Sequence, residues 1–280
     1  MPARRVDDMK LTDDEFRMFS DLIAKESGIL IRESRRDVLH AKLQKRLQAS
    51  QINSLYRYYK FITDRMPGNR ELSNLIDSLT IHETSFFRNK PQFDLFADLV
   101  IPDLKRRNTS SKKLRLWSAG CSHGQEPYSM AMSLLSTLGF PLNWDVQILA
   151  SDISRKAIET AQQGSYSEQD LEEVQQNLRS AFFERTGDGY HISQHVKNIV
   201  LFGQHNLKRD SAPEDLHVIF CRNVMIYFDA AEQNRLIEKF FTCLRPGGYL
   251  FLGHSETLIG VSDKFTYIHS DKAAVYQKKL

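Results

Sequence analysis

The chain has 280 residues, 41% of them hydrophobic and 10% aromatic, with a formal net charge of +3 at pH 7, which suits a globular protein with a sizeable core and room for a second small domain. No run approaches the roughly 18 consecutive apolar residues of a membrane span, and the polar start MPARRVDDMK lacks the apolar core of a secretory signal, so a cytoplasmic protein without membrane insertion is expected. The charge is too small to argue for a nucleic-acid partner, but residues 1–90 hold 17 Lys and Arg against 13 Asp and Glu, so the excess sits at the N-terminal end.

Residues 11–80 read as helices only. Thr12 and Glu15 form a capping box, Phe16, Phe19, Leu22 and Ile23 follow at helical spacing, and Gly28 stops the run. A second helix is expected over about 34–48, with Val38, Leu39, Leu43 and Leu47 on its apolar face and a basic opposite face. Leu55 to Ile62 suggest a third helix. The turn MPGN, with Asn69 as cap, introduces a fourth that carries Leu72, Leu75, Ile76 and Leu79. A further helix after Pro91 runs into the charged connector KRRNTSSKK, 105–113.

From Leu114 onward strands alternate with helices. Strands are expected at 114–119, 146–151, 216–221 and 249–253, with helices after Glu126, Ser154 and Asp229. This is the pattern of an α/β, doubly wound, mostly parallel sheet behind an N-terminal all-helical domain. The rhythm breaks between about 164 and 205, where TGDGYHISQHVKNIVLFG resembles a hairpin turning at Gly187 to Gly189; this marks a small antiparallel insertion. The last segment, FTYIHSDKAAVYQKK, reads as a hairpin that completes the sheet. The three cysteines, Cys121, Cys221 and Cys243, form no CxxC pair and are expected as reduced thiols. The histidines lack metal-ligand spacing, so no metal is expected.

The turn LRLWSAGCSHGQEPYS, 114–129, carries the first functional signal. Ligands of a doubly wound sheet sit outside the carboxyl ends of the strands, and glycines after the first strand admit close backbone approach. Gly120 and Gly124 stand there, without GxGxxG spacing or a phosphate-loop lysine. The next strand ends in Asp152, placed to accept hydrogen bonds from ribose hydroxyls. An adenosine cofactor without a phosphate chain, such as S-adenosylmethionine, fits; so does an ordinary tight turn with an acid at a strand end. FCRNVMIYF, 220–228, puts Arg222 and Asn223 at another strand end, with Tyr227 four residues beyond Asn223, and TIHETSFFRNKPQF, 80–93, sets Thr84 and Arg88 beside two phenylalanines.

Taken in order, SLTIHETSFFR, LWSAGCSHGQEPYSMA, ILASDIS, FCRNVMIYF, LRPGG and LGHSE resemble the chemotaxis receptor methyltransferase family, the CheR type, over nearly the whole chain. The resemblance implies transfer of a methyl group from S-adenosylmethionine, with S-adenosylhomocysteine as product, to glutamate side chains on bacterial chemoreceptors, the adaptation step of chemotaxis. It divides the chain into a helical receptor-docking domain, 1–85, and a cofactor-binding domain, 86–280. Cofactor contacts are then expected from His82, Thr84, Arg88, Gly120, Glu126, Asp152, Asn206, Leu207, Arg222 and Asn223. Arg88 and Tyr227 are the candidates for orienting the reacting groups. The partner is the cytoplasmic helical region of the receptor, for which the basic face of RRDVLHAKLQKR, 35–46, with Arg35, Lys42 and Arg46, is a plausible dock and also a plain solvated face. The insertion is the candidate site for a receptor C-terminal tail. His82, His123 and Gln125 depart from the residues usual in the family.

The chemistry agrees. A glutamate carboxylate, with an ordinary pKa of about 4.3, is ionised at neutral pH and attacks a sulfonium methyl without losing a proton, so no general base is required. Two other readings stand beside this one: methylation of a different acceptor, small molecule or nucleic acid, and a non-catalytic cofactor-binding signalling module.

Overall fold

The chain enters its first helix, α1 (Asp13–Ser27), through the expected capping box. Thr12 N donates to Glu15 Oε2 at 3.0 Å and Glu15 N to Thr12 Oγ1 at 3.3 Å, and Gly28, at φ 82°, ends the helix in the left-handed region. The computed structural model describes residues 11–64, 70–139, 142–187, 189–258, 263–270 and 273–279; the expected MPGN turn and Asn69 cap lie outside them. Three more helices follow, α2 (Arg36–Ser50), α3 (Leu55–Thr63) and α4 (Arg70–Leu79). Leu39, Leu43 and Leu47 are buried along one stripe of α2, but Val38, expected on the same face, is 41% exposed because it lies one position off that i, i+4 row.

Helices α2, α3 and α4 are pinned by a polar knot. Glu71 accepts from Arg46 Nε at 2.8 Å and Nη2 at 2.5 Å, from Tyr58 Oη at 2.8 Å and from Asn74 Nδ2 at 3.2 Å. By contacts the chain divides into two units: 1–81 with 227–229, and 82–226 with 230–280. His82 and Thr84, on the helical side of the boundary expected at 85, therefore belong to the second unit. Tyr227 belongs to the first, where its carbonyl accepts from Leu30 N at 2.9 Å.

The second unit opens with α5 (Lys90–Leu95), a π turn at Phe96–Val100 and α6 (Ile101–Arg107). There follow β1 (Lys113–Ala119), α7 (Gln125–Leu138), β2 (Asp145–Asp152), α8 (Arg155–Gln163), β3 (Ser165–Tyr166), α9 (Gln176–Phe182), β4 (Phe183–Thr186), β5 (Gly189–Ile192), α10 (Gln194–Lys197), β6 (Val200–Gln204), β7 (Leu216–Cys221), α11 (Ala230–Cys243), β8 (Leu244–Leu252), β9 (Phe265–His269) and β10 (Ala274–Lys278). The main sheet runs β6-β2-β1-β7-β8-β10-β9. Its first five strands are parallel and the closing β9–β10 hairpin is antiparallel, as the sequence pattern implied.

Chain order reverses between β1 and β7: the crossovers from β1 run toward β2 and β6, and the next runs from β7 to β8. Right-handed connections thus place α7 and α8 on one face and α11 on the other, and leave a crevice at the carboxyl ends of β1 and β7. The core fills both faces. Phe93 and Phe96 pack on Phe220 with ring centroids 5.7 and 5.3 Å apart, and Phe220 stacks on Phe251 at 4.3 Å. On the opposite face Trp117 meets Phe240 of α11 edge-on at 5.7 Å. All three cysteines are free and buried.

Two expectations need correction. The break in rhythm holds a three-stranded antiparallel sheet, β3-β5-β4, but only as far as Ile192; Val200–Gln204 pairs in parallel with β2 as the edge of the main sheet. The hairpin within that stretch is the β4–β5 pair, where Thr186 faces Gly189, and Asp188 lies outside the described residues. The strand expected at 249–253 begins earlier, at Leu244, which pairs with Leu216; a register shift then leaves Arg245 to Gly248 out of the pairing, which resumes at Tyr249 opposite Val218.

Candidate functional site

The turn after β1 is built for close approach. Gly120 sits at φ 86°, and a Cβ there would lie 2.4 Å from Val224 Cγ2, so a side chain is excluded twice over. Gly120 N and Cys121 N both donate to Ser151 O, at 2.8 and 2.9 Å, which fixes the turn to the end of β2. Asp152 at that strand end is buried. Its Oδ2 accepts from Ser122 N at 2.8 Å and its Oδ1 from Ser154 N at 2.9 Å. These backbone bonds, one to each oxygen, fix the orientation of the carboxylate.

Beneath the turn lies an ion pair. Glu126, in the first turn of α7, accepts from Ser118 Oγ at 2.7 Å and faces Arg222 Nη1 at 3.4 Å. Burial pushes the Glu126 carboxyl above its ordinary range, with Arg222 and the Ser118 hydroxyl pulling the other way. Arg222 also donates to the Arg88 carbonyl at 2.5 Å, and its guanidinium lies 5.5 Å from the Phe93 ring centroid.

Arg88 itself is half-buried, with Nη1 donating to Glu83 O at 2.6 Å. It stands between two left-handed residues, Phe87 at φ 53° and Asn89 at φ 60°, while Phe87 N is anchored on Ser129 Oγ at 2.9 Å. A left-handed phenylalanine is uncommon and costs energy, so the backbone around Arg88 is held by its surroundings. Its neighbour Phe86 is core, edge-on to Tyr166 at 4.8 Å and Phe183 at 5.2 Å.

The remaining expected residues flank these. Asn206 Oδ1 accepts from Lys208 N at 3.0 Å, buried Leu207 gives its carbonyl to Lys239 Nζ at 2.6 Å, and His205 N donates to Asp152 O at 2.9 Å, tying that loop to the end of β2. Asn223, at φ 59°, follows Arg222 directly. Thr84 is half-buried within the segment that leads to Arg88.

His82 Nδ1 lies 3.4 Å from Ser122 Oγ, and its ring centroid is 5.1 Å from that of His123. Two of the three departures from the family pattern therefore meet each other. Burial, and then the facing His82, lower the His123 pKa. The third departure, Gln125, is buried, and among the described residues neither its Oε1 nor the Nε of buried Arg222 has a hydrogen-bond partner. An unpartnered acceptor and donor beside a glycine turn suit a ligand bearing both an ammonium and a carboxylate, which is the amino-acid end of S-adenosylmethionine. Among the described residues no three His, Cys, Asp or Glu side chains gather as a metal site.

Glu256, within LGHSE, is a residue of this region that the sequence pattern did not single out. Its carboxylate accepts from Asn223 N, Val224 N, Met225 N, Ile226 N and Gly253 N. The available signal was an acid a few residues beyond the end of a central strand, the same kind of position that singled out Asp152.

A doubly wound sheet with this turn, a buried acid at the end of β2 and an ion pair under the crevice is the architecture of a methyltransferase that uses S-adenosylmethionine. The CheR methyltransferase SAM-binding domain matches residues 82–274, and the CheR methyltransferase all-alpha domain matches 14–80. The chain belongs to the CheR methyltransferase family. It is 37% identical to chemotaxis protein methyltransferase 2 of Pseudomonas aeruginosa, over 90% of this chain and 89% of that one, and 36% identical to the chemotaxis protein methyltransferase of Escherichia coli, over 92% and 89%. Chemotaxis protein methyltransferase 2 of Vibrio cholerae is 32% identical over 98% and 96%. No described helix is long and apolar enough to cross a membrane.

Proposed function

We propose that the protein methylates glutamate side chains on bacterial chemoreceptors, a protein-glutamate O-methyltransferase acting in the cytoplasm for chemotactic adaptation. The observation that carries this reading is the match of both family models along nearly the whole chain, together with relatives named chemotaxis protein methyltransferase. When bound, S-adenosylmethionine supplies an activated methyl group on a sulfonium. Asp152 would hold the ribose through its carboxylate. Arg222, Glu126 and Gln125 would hold the amino-acid end, and His82, Thr84, Gly120, Asn206, Leu207 and Asn223 would line the rest.

The acceptor glutamate arrives as a carboxylate and needs position rather than a base. Arg88 suits that role, because among the described residues its guanidinium donates one hydrogen bond, to the Glu83 carbonyl, which leaves donors for an anion. Tyr227 is a separate candidate for orienting the acceptor through its hydroxyl. A hold that is too strong would lower the nucleophilicity of the oxygen, so both residues position rather than activate. The helical domain, 1–85, would dock the receptor through the basic face of α2, and the small sheet would take a receptor tail.

The test is to mix the protein with cofactor labelled on the methyl group and membranes containing receptor, alongside nucleic acid and small-molecule acceptors. Label confined to receptor supports the reading, and label in another acceptor, or in none, refutes it.

A further inference from the structure

The turn after β7 carries Arg222 and Asn223 to the crevice, yet its next amides are not taken up by a strand or helix ladder. Four consecutive N–H groups, from Asn223 to Ile226, converge instead on one side chain. Glu256 Oε2 accepts from Asn223 N at 2.9 Å and from Gly253 N at 2.6 Å; Oε1 accepts from Val224 N at 3.1 Å, Met225 N at 2.8 Å and Ile226 N at 3.3 Å. Glu256 N in turn donates to Gly253 O at 2.9 Å, closing the turn that presents the carboxylate.

The socket is tightly built around that group. A Cβ on Gly253 would lie 2.6 Å from Glu256 Oε2 and 2.8 Å from Asn223 N, so only glycine fits there. Successive amides aimed at one point form an electropositive nest, and a carboxylate can satisfy several of them where a single carbonyl cannot. The geometry also accounts for Asn223 at φ 59°, since the bend is what turns its own amide and the next three toward Glu256.

We propose that Glu256 is a positioning residue that sets the turn after β7 in its cofactor-binding form before the ligand arrives. The proposal rests on the reading of Arg222 and Asn223 as cofactor contacts. Glu256 touches no reacting atom. Its negative charge holds the amides, the amides hold Asn223 in its left-handed bend, and the bend holds Arg222 against Glu126 and the Arg88 carbonyl.

Glu256→Gln in the full chain keeps the shape, but removes the charge and turns an NH2 toward amide donors. Titration calorimetry with S-adenosylhomocysteine, which needs no acceptor, should show the Kd raised about tenfold or more, the effect of losing hydrogen bonds to a charged group. Thermal unfolding recorded in parallel should show the variant folded at the titration temperature, which separates positioning from stability. An unchanged Kd in the folded variant overturns the role of Glu256. A wild-type chain that binds no S-adenosylhomocysteine overturns instead the reading of the site on which it rests. If the variant does not fold, amide exchange on the ligand-free wild type decides. The amides of residues 223–226 and 253 should exchange slowly without ligand; free exchange that slows only when S-adenosylhomocysteine is added overturns the proposal.

Discussion

Asp152 shows how a residue's place can be legible while its bonding stays hidden. Its place at the end of β2 follows from the strand pattern, but the two backbone bonds it accepts, from Ser122 and Ser154, depend on how the turn folds back. Asp152→Ala should weaken S-adenosylhomocysteine binding by about 1.5–3 kcal/mol and also lower the melting temperature, since two buried amides lose their acceptor. Calorimetry on a folded variant with unchanged affinity would contradict the ribose assignment. Tyr227→Phe should lower kcat with cofactor affinity near wild type, whereas Arg88→Ala should lose both, because the Arg88 guanidinium also bonds the Glu83 carbonyl and so holds the segment that carries His82 and Thr84. Single-turnover kinetics at saturating cofactor separate the two; normal turnover in Tyr227→Phe would make that tyrosine a packing residue. That Gly120 lies in the turn after β1 followed from motif position, but the meeting of His82 with His123 did not, because the two are 41 residues apart in sequence and adjacent only in the folded turn.

At the scale of the element, periodicity identified α2 and its basic face but not what that face already holds. Arg46, expected to meet the receptor, has its guanidinium committed to Glu71 inside the helical unit, while among the described residues Arg35 and Lys42 make no such bond to an acid. Reversing Arg35 and Lys42 to Glu should raise the KM for receptor, leave cofactor affinity alone and reduce the salt dependence of the wild type. A KM that is insensitive to salt and to reversal would end the docking proposal. Arg46→Glu should behave differently and cost stability. Burial alone would raise the Glu71 carboxyl, but bonds from Arg46, Tyr58 and Asn74 more than reverse this and hold it below its ordinary range. A depressed carboxylate contributes stability above its unfolded pKa of about 4.3 and loses it as pH falls through the folded value. Glu71→Gln should therefore cost about 1–3 kcal/mol at neutral pH, and flatten the acid limb of a melting-temperature profile.

For the whole molecule the alternation of strands and helices gave the sheet, its parallel core and the closing hairpin, because buried strands read as unbroken apolar runs. The edge strand β6 was expected in the insertion hairpin rather than in the main sheet, because VLFGQ is short and mostly exposed and its membership is fixed by pairing with β2 rather than by its own pattern. The sheet also carries a pH signature. His217 of β7 accepts from Arg115 N at 3.1 Å through Nδ1, and its Nε2 faces Asn108 Oδ1 at 3.2 Å, tying the strand to its neighbours. Burial, and next Arg245, lower its pKa to about 4. The unfolded chain takes up this proton near pH 6.5 and the folded one only near 4, so stability should fall as pH drops through that interval. Melting temperatures of His217→Gln should lack that component of the slope; an identical slope would contradict it. The most direct test of the central claim is the chemical nature of the methylated product. After incubation with methyl-labelled S-adenosylmethionine and receptor-containing membranes, label should appear on receptor and be released as methanol by mild alkali, as a glutamate methyl ester requires. Label that stays bound in alkali, or that never reaches receptor, would contradict methyl transfer to glutamate.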